Sequence, residues 1–596
     1  MQLDAGMQNS GVRKHSASLK KQWVIYPPAQ NTREIAQRLK VSNLTAQVLI
    51  NRGITDAGEG LSFLRPKLTC LIDPQKMPGI EGAVERIAGA IKDKEKITIY
   101  GDYDVDGITG VSILLHLLTL LGANVDYYIP HRVDEGYGLN EDAVRLLAES
   151  GTNLLITVDC GISAIESAEL ASKLGLGLII TDHHRPCDEL PKAEAIVHPA
   201  LKAGYENPDS SGTMVAFKLA WAIANRFSSG PKLDEELREF MLNATSLAAM
   251  GTIADIVDLR GENRILTSYG LKALSECKLC GITALIETAG LTGQGLDSYD
   301  IGFKLAPMIN AAGRMGHARL AVELLTTENP ARAIQIAEYL KAQNAQRQQC
   351  ERKIFKQACE MIIQKGLNHP DRHIIVLADD RWHTGVIGIV ASRIVDKFYK
   401  PTIMINTAKA DDGLARGSGR SIAGFDILRA ISACSKHLAH FGGHIMAAGV
   451  TIRPENIEKF AAEMESFAAE NISENDQTAK LHIDAIVPLS EFRDQVVKEL
   501  KMLEPFGQGN PKPVFAAKGV RLAAPPRKVG TKGDHLQLAI TDNTNSVRCI
   551  GFRFGNFEKK LLEKDSFNVA FHPQINDYNG NSNVEFVLAD IQFDDE

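Results

Sequence analysis

The stretch TIYGDYDVDGITG, Thr98 to Gly110, sets carboxylates at Asp102, Asp104 and Asp106 and closes on Gly107, which is how a calcium loop of the EF-hand type begins. Such a loop needs a bidentate glutamate at its twelfth position. Counted from Asp102 that position is Ile113, so the calcium reading fails. The flanks point elsewhere. Ile97-Thr98-Ile99-Tyr100 is a short β-branched, apolar run, and Ile108 to Leu121 is a nearly continuous apolar helix. In open parallel sheets, a turn between strand and buried helix lies where ligands bind, so three acids there read as a metal site.

Other strand ends repeat the theme. LLITVDCGIS ends a strand at Asp159, LIITDHHRP ends one at Asp182, His183 and His184, and MGTIADIVDL adds Asp255 after an apolar run. Neighbouring strands that finish in Asp or His converge on one crevice. Aspartate oxygens with one or two imidazoles suit manganese or magnesium, and an aspartate within reach of both ions can bridge them. Two metals about 3.5–4 Å apart can activate water and stabilise the attacking and leaving oxygens of a phosphoester. Taken singly, Asp102 or Asp182 could be a helix N-cap and the two histidines a structural pair. The joint occurrence argues against that for the set.

The elements that must position these residues are legible. From about Lys96 to Pro199 strands alternate with helices, which predicts a parallel sheet with right-handed crossovers. A largely helical stretch, Val215 to Gly290, follows. Pro330 to Gly366 reads as one long helix of about 50 Å, and its polar middle, NAQRQQCERK, suits a solvent-exposed connector between domains. A second α/β unit runs from His373 to about Asn471, where GSGRS reads as a turn whose backbone amides approach an anion. From Pro513, short strands alternate with turn residues such as Asn579-Gly580, as in a small antiparallel barrel of the OB type. The expected division is an N-terminal segment 1–80, an α/β catalytic domain 81–325, the helix 326–366, an α/β substrate-binding domain 367–475 and a barrel 476–596.

Composition sets the bounds. The 596 residues are 44% hydrophobic and 23% charged, ordinary for a soluble protein of several domains. The polar start has no signal-peptide core and no run reaches membrane-spanning length, so a cytoplasmic protein is expected. Nine scattered cysteines fit a reducing compartment, and the lone CxxC, Cys277 to Cys280, reads as structural. A net charge of −7 does not advertise nucleic-acid binding, yet Asn510 to Lys560 holds ten Lys and Arg against three acids. Basic grooves with aromatics hold single strands by backbone attraction and base stacking. Phe552 and Phe554 lie among these charges, though the barrel core is the expected place for both.

GDYDVDG, TVDCGI, TDHH and GTIAD, in that order, resemble the motifs of the DHH phosphoesterase superfamily. INAAGRMGHA, WHTGVIGIVASR, GSGRSIAGFD, FGGHIMAAG and LEPFGQGNPKPVF narrow the resemblance to its RecJ branch of single-strand-specific exonucleases. The match runs from about Lys96 to the C-terminus. It implies an enzyme that degrades single-stranded DNA from the 5′ end to mononucleotides with two manganese or magnesium ions, in DNA repair and recombination. It implies Asp104, Asp106, Asp159, His183 and Asp255 as metal ligands, with Asp159 bridging. Asp102 would support them and His184 would contact the scissile phosphate. Ser418 and Arg420, helped by Arg314 and Arg132, would bind the 5′ phosphate, and His444 would line the same cleft. A monomer is implied, with a single-strand-binding protein and a helicase as partners. Three departures stand out: Ala306-Pro307-Met308 where an arginine is usual, SSGTM for a Gly-Ala turn, and His198 for an asparagine. None is expected to touch a ligand, and the first is expected to weaken one DNA contact. Two rivals fit less well. A DHH phosphodiesterase of small substrates has no need of the barrel, and a metal-free DNA scaffold has no reason to keep clustered buried carboxylates.

Overall fold

The apolar runs after Lys96 become one parallel sheet. Its strands lie in the order Asn124–Tyr128, Lys96–Gly101, Leu154–Val158, Gly177–Thr181 and Ala195–Val197. Leu154–Val158 is buried throughout, which is why such a strand reads as an unbroken apolar run. The strand ends are stapled at one level. Asp102 N donates to Val158 O, Asp159 N to Thr181 O and Asp182 N to Val197 O, so three aspartates follow the last paired residues of adjacent strands. Helices Val105–Leu120, Gly212–Phe227 and Glu235–Ala254 pack against one another over this sheet. The computed structural model describes residues 21–594 except 133–134, 202–203, 315–316, 409–412 and 579–580. The polar N-terminal stretch through Lys20 and the Asn579-Gly580 turn therefore lie outside the described residues.

The long helix is Pro330–Gln364, with proline at its first position and Asn329 capping the amides of Ala331 and Arg332. Its two ends belong to different cores. Ala333, Ile336, Ala337 and Leu340 pack with the first sheet, and Ile354, Ala358 and Ile362 with the second domain. The middle is largely the solvated span its polarity suggests, with Asn344 and Arg347 as its buried residues.

The second domain carries a mixed sheet in the order Leu438–His444, Ala447–Ile452, Ala415–Arg420, Thr402–Asn406 and Ile375–Asp379. Here the turn expected at GSGRS is a strand. Residues 415–420 pair with both neighbours. The glycines serve packing instead, since a Cβ on Gly417 would meet Val450 Cγ2 at 2.7 Å.

Strands Phe515–Val529, His535–Thr541, Ser546–Gly551, Asn581–Gln592 and Phe567–Tyr578 close into a barrel by the pairing of the first with the last. The N-terminal segment, which carries no motif, shares its core. Ile35, Val48, Leu49 and Phe63 pack with Phe515, Phe571 and Phe586, and Gln22–Ile25 pairs in parallel with Lys480–Ile483. Phe552 departs from the core position expected of it and is 56% exposed, edge-on to His535, whereas Phe554 is partly buried against the core. Phe552 follows the last paired residue of its strand, Gly551, so the inward-outward alternation no longer governs it.

Candidate active site

The acidic turn is built by helix capping and strand ends together. Asp104 is the N-cap of Val105–Leu120, and its Oδ1 accepts from the amides of Asp106 (2.9 Å) and Gly107 (3.2 Å). Asp102 and Asp182 cap no helix. Asp106 points to the start of Gly212–Phe227, where Gly212 N donates to Oδ2 (2.6 Å) and Thr213 N to Oδ1 (2.9 Å). Asp159 sits in the left-handed region at φ 63°. That helix start crowds it so closely that a Cβ on Gly212 would lie 2.6 Å from Asp159 Oδ1.

Strand ends and turns bring all the expected ligands together. His183 Nε2 lies 3.1 Å from Asp159 Oδ1, 3.7 Å from Asp255 Oδ2 and 3.8 Å from Asp106 Oδ2. Three donor groups lie within metal-binding reach: Asp159 with His183 and His184, Asp106 with His183 and Asp255, and Asp102 with Asp104 and Asp159. Asp159 and His183 are each in two of them, and of the two only the carboxylate has a second oxygen with which to reach a second ion. Asp102 is itself within reach as a donor, beyond the supporting role the resemblance implies. Asp102 Oδ1, Asp159 Oδ1 and His183 Nε2 are buried with no hydrogen-bond partner. Donors left unsatisfied at one point are costly unless a cation engages them, so the residues present fit divalent ions.

The electrostatics agree. Burial, then the charge of Asp104, holds Asp102 well above the usual carboxylate range, and burial with Asp106 does the same to Asp159. Burial, then Asp106 and Asp104, pushes Asp255 up to about 9. His183 is lowered by burial, which keeps its ring neutral and able to ligate. Beside it, His184 Nδ1 is 2.8 Å from Asp182 Oδ1 and 3.0 Å from the Tyr137 hydroxyl. Burial opposes charge on this ring, yet the Asp182 contact keeps it above the usual imidazole range.

A cationic cluster faces the acids. Gly313 lies so close to Tyr103 that a Cβ would meet its carbonyl oxygen at 2.6 Å, which sets Arg314 beside the acidic turn. Arg314 Nη1 donates to Gly385 O (2.9 Å), at the start of helix Thr384–Phe398. Burial, then Arg132, Arg347 and Arg420, brings the Arg314 guanidinium down to about 9. Arg132 lies over the Tyr103 ring at 4.8 Å. Arg420 Nη1 donates to Ser418 Oγ (3.0 Å), and both press on Gly388, where a Cβ would come within 2.8 Å of Ser418 Oγ. His444 is exposed on the edge strand, in register with Ala447, which pairs on its other side with Arg420. Crowded arginines beside a helix N-terminus have the chemistry that suits an anion.

The sequence reading missed Arg347, Tyr137 and Gly212, and it placed Asp182 at its strand end without giving it a role. Arg347 was masked by its polar helical neighbours, and Tyr137 by its loop. Two of the three departures also touch the site, contrary to expectation. Gly212 and Thr213 of SSGTM hold Asp106, and buried His198 Nε2 lies 2.7 Å from His184 O. The third, Met308, is buried in the core.

A parallel sheet with carboxylates and imidazoles at its strand ends, joined by a helix to a second α/β domain, is the arrangement of a DHH phosphoesterase. The DHH family N-terminal domain matches residues 96–245, the DHHA1 domain 371–470 and the RecJ OB domain 483–590. The chain is 37% identical over 573 residues to the single-stranded-DNA-specific exonuclease RecJ of Bacillus subtilis, covering 96% of this chain and 71% of that one. It is 32% identical to the Haemophilus influenzae protein of that name, covering 89% and 93%. The crystal structure of RecJ with Mn2+ from Thermus thermophilus superposes with a TM-score of 0.82 at 31% identity, covering 96% of this chain and 79% of that one. The Mg2+ complex gives 0.76 at 29% identity, covering 96% and 78%. The chain belongs to the RecJ family.

Proposed function

We propose that this chain is a single-stranded-DNA-specific exonuclease that works from the 5′ end, releasing 5′ mononucleotides in DNA repair and recombination. The observation that carries the reading is the facing of two clusters across one cleft, unsatisfied metal donors on one side and crowded arginines on the other. Asp102, Asp104, Asp106, Asp159, His183 and Asp255 hold two manganese or magnesium ions, which when bound activate a water and stabilise charge on the phosphate. Asp182 and Tyr137 orient His184 toward the scissile phosphate. Arg314, Arg420 and Ser418, with Arg132, hold the terminal 5′ phosphate, and His444 lines the approach. Two fixed points along the strand set which bond is cut. A narrow cleft between two domains bridged by one helix excludes duplex.

The enzyme acts as a monomer in the cytoplasm, fed by a helicase and a single-strand-binding protein. Among the described residues no helix is long and apolar enough to cross a membrane. The test is time-resolved digestion of a single strand labelled at either end, with manganese, beside Asp159→Ala. The 5′ label should appear first as a mononucleotide, and the variant should be inert. Binding without cleavage by the unaltered protein would overturn the reading.

A further inference from the structure

Asp255 stands at the end of a helix rather than of a strand. It caps the C-terminus of Glu235–Ala254, with its amide donating to Gly251 O (2.9 Å). A carboxylate there opposes the helix dipole and has no sheet to fix it. The chain leaves the helix through Ile256 at φ 63°, and the next helix begins at Gly261. The segment between them, 256–260, is held from two sides.

On one side is the turn that leads into the barrel. Leu259 N donates to Gln508 O (2.9 Å) and Arg260 Nε to Gly509 O (2.8 Å). Glycines make this approach possible. A Cβ on Gly507 would lie 2.7 Å from Cδ1 of buried Leu259, and one on Gly509, at φ 70°, would lie 2.9 Å from Asp258 Oδ2. The turn is braced from within: Gly507 N donates to Asn510 O (2.9 Å) and Asn510 N to Gly507 O (3.2 Å). The buried Asn510 side chain donates to Leu503 O and Pro505 O and accepts from Arg52 Nε. On the other side is Asn263, also buried, whose Nδ2 donates to Asp258 O (3.0 Å) and to Asp209 O (2.9 Å). Asp209 leads through Ser210 and Ser211 to Gly212, the residue whose amide holds Asp106. One side-chain amide thus couples the segment after Asp255 to the turn that supports Asp106. These two carboxylates form one donor group with His183, whereas Asp102, Asp104 and Asp159 form another.

We propose that the turn 507–510 is a positioning clamp for one of the two ions. By fixing 256–260 it sets Asp255, and through Asn263 it sets Asp106. The ion held by Asp106, His183 and Asp255 therefore binds at full strength only when the barrel linker is seated. This rests on the reading of the acidic cluster as a two-ion site. Leu259, Gly507 and Asn263 are positioning residues: they touch no ion and act by orienting those that do, an effect that outer partners of metal ligands commonly have. Seating of the barrel becomes a condition for the chemistry as well as for capture of the strand.

The experiment is a manganese titration of the full chain without DNA, followed by electron paramagnetic resonance of the free ion. Gly507→Ala pushes on Leu259 and should weaken one of the two ions about tenfold, leaving the other as it was. On a single strand kcat should fall while KM does not. Gly507→Ala/Leu259→Ala removes the clash and should restore the manganese affinity, although the lost apolar contact lowers the thermal midpoint. Ser298→Ala deletes a different tie of the same linker, Ser298 Oγ to Phe506 O, and should leave both affinities unchanged. Gly507→Ala with both affinities intact, or with both equally weakened, would overturn the proposal. So would an equal loss from Ser298→Ala, since any loosening of the joint would then suffice. Should Gly507→Ala fail to fold, Arg260→Ala, an exposed change, takes its place: it should weaken the same ion, and unchanged affinities would overturn the clamp. A protein that shows this pattern in manganese yet cuts no strand would overturn the exonuclease reading alone and support the clamp.

Discussion

Gly212 shows how little slack the donor cluster has. It must donate its amide to Asp106 and leave room for Asp159 on its other side, and only a residue without a side chain does both. Gly212→Ala is expected to displace Asp159 by a large part of an ångström and lower kcat about a hundredfold with manganese, a loss typical of misplacement on that scale. Steady-state kinetics and a manganese titration of the same variant check this. The cluster should also report its ions without turnover. The carboxylates repel one another in the apo protein, and ions bind only where the fold assembles them. Manganese at about a hundred times its Kd is expected to add about 2.7 kcal/mol per ion. The thermal midpoint measured with manganese and with chelator gives the sign, and an unmoved midpoint would mean that the donors do not hold the ion. The strand-end aspartates were legible because each stands alone after an apolar run. Gly212 was not, because its demand comes from a carboxylate more than fifty residues away in sequence, at Asp159.

At the scale of elements, the long helix does more than span. Glu351 is gripped by Arg347 from the same helix (2.9 Å) and by Arg393 of the second domain (2.7 Å), while Arg347 Nε donates to Asn344 Oδ1 (3.0 Å). Arg347 thus joins the cationic cluster already braced, and Glu351 locks the helix to the domain that carries Ser418 and Arg420. Glu351→Gln leaves a buried guanidinium without its carboxylate. The expected loss is about 3 kcal/mol, read by denaturant titration of the second domain, with a higher KM for 5′-phosphorylated strands. The helix itself was plain in the sequence, from Asn329-Pro330 onward. The burial of Asn344 and Arg347 within its otherwise exposed middle was not, since NAQRQQC has the polarity of a solvated face throughout and the partners of these two residues lie on the same helix. GSGRS misled for the opposite reason: glycines that signal a turn in isolation are also what a strand needs where neighbours press on it from both faces.

At the scale of the molecule, the barrel cannot be understood apart from the residues that begin the chain or from the catalytic domain. Arg264 lies buried at the junction. Its guanidinium donates to Phe63 O, Met502 O, Leu503 O and Glu504 O and stacks 3.7 Å over the Phe63 ring. One side chain of the catalytic domain therefore holds both the N-terminal segment and the linker into the barrel. Burial, then Arg52, brings this guanidinium down to about 9, with the charge of Glu504 acting in the opposite direction. No pattern of hydrophobic periodicity could announce a joint made from one arginine and the carbonyls of two distant segments. The joint fixes the barrel's basic surface relative to the cleft, and the charge distribution gives that surface its task. The chain carries −7 overall, yet Arg521, Arg527 and Arg548 stand exposed on the barrel strands. If they contact phosphates, Arg548→Ala should weaken single-strand affinity equally for all base sequences and lower the slope of log Kd against log salt by about 0.7. Binding isotherms at several salt concentrations decide it. A slope that does not change would place the strand on another face of the barrel and leave the electrostatic grip to the cleft arginines alone.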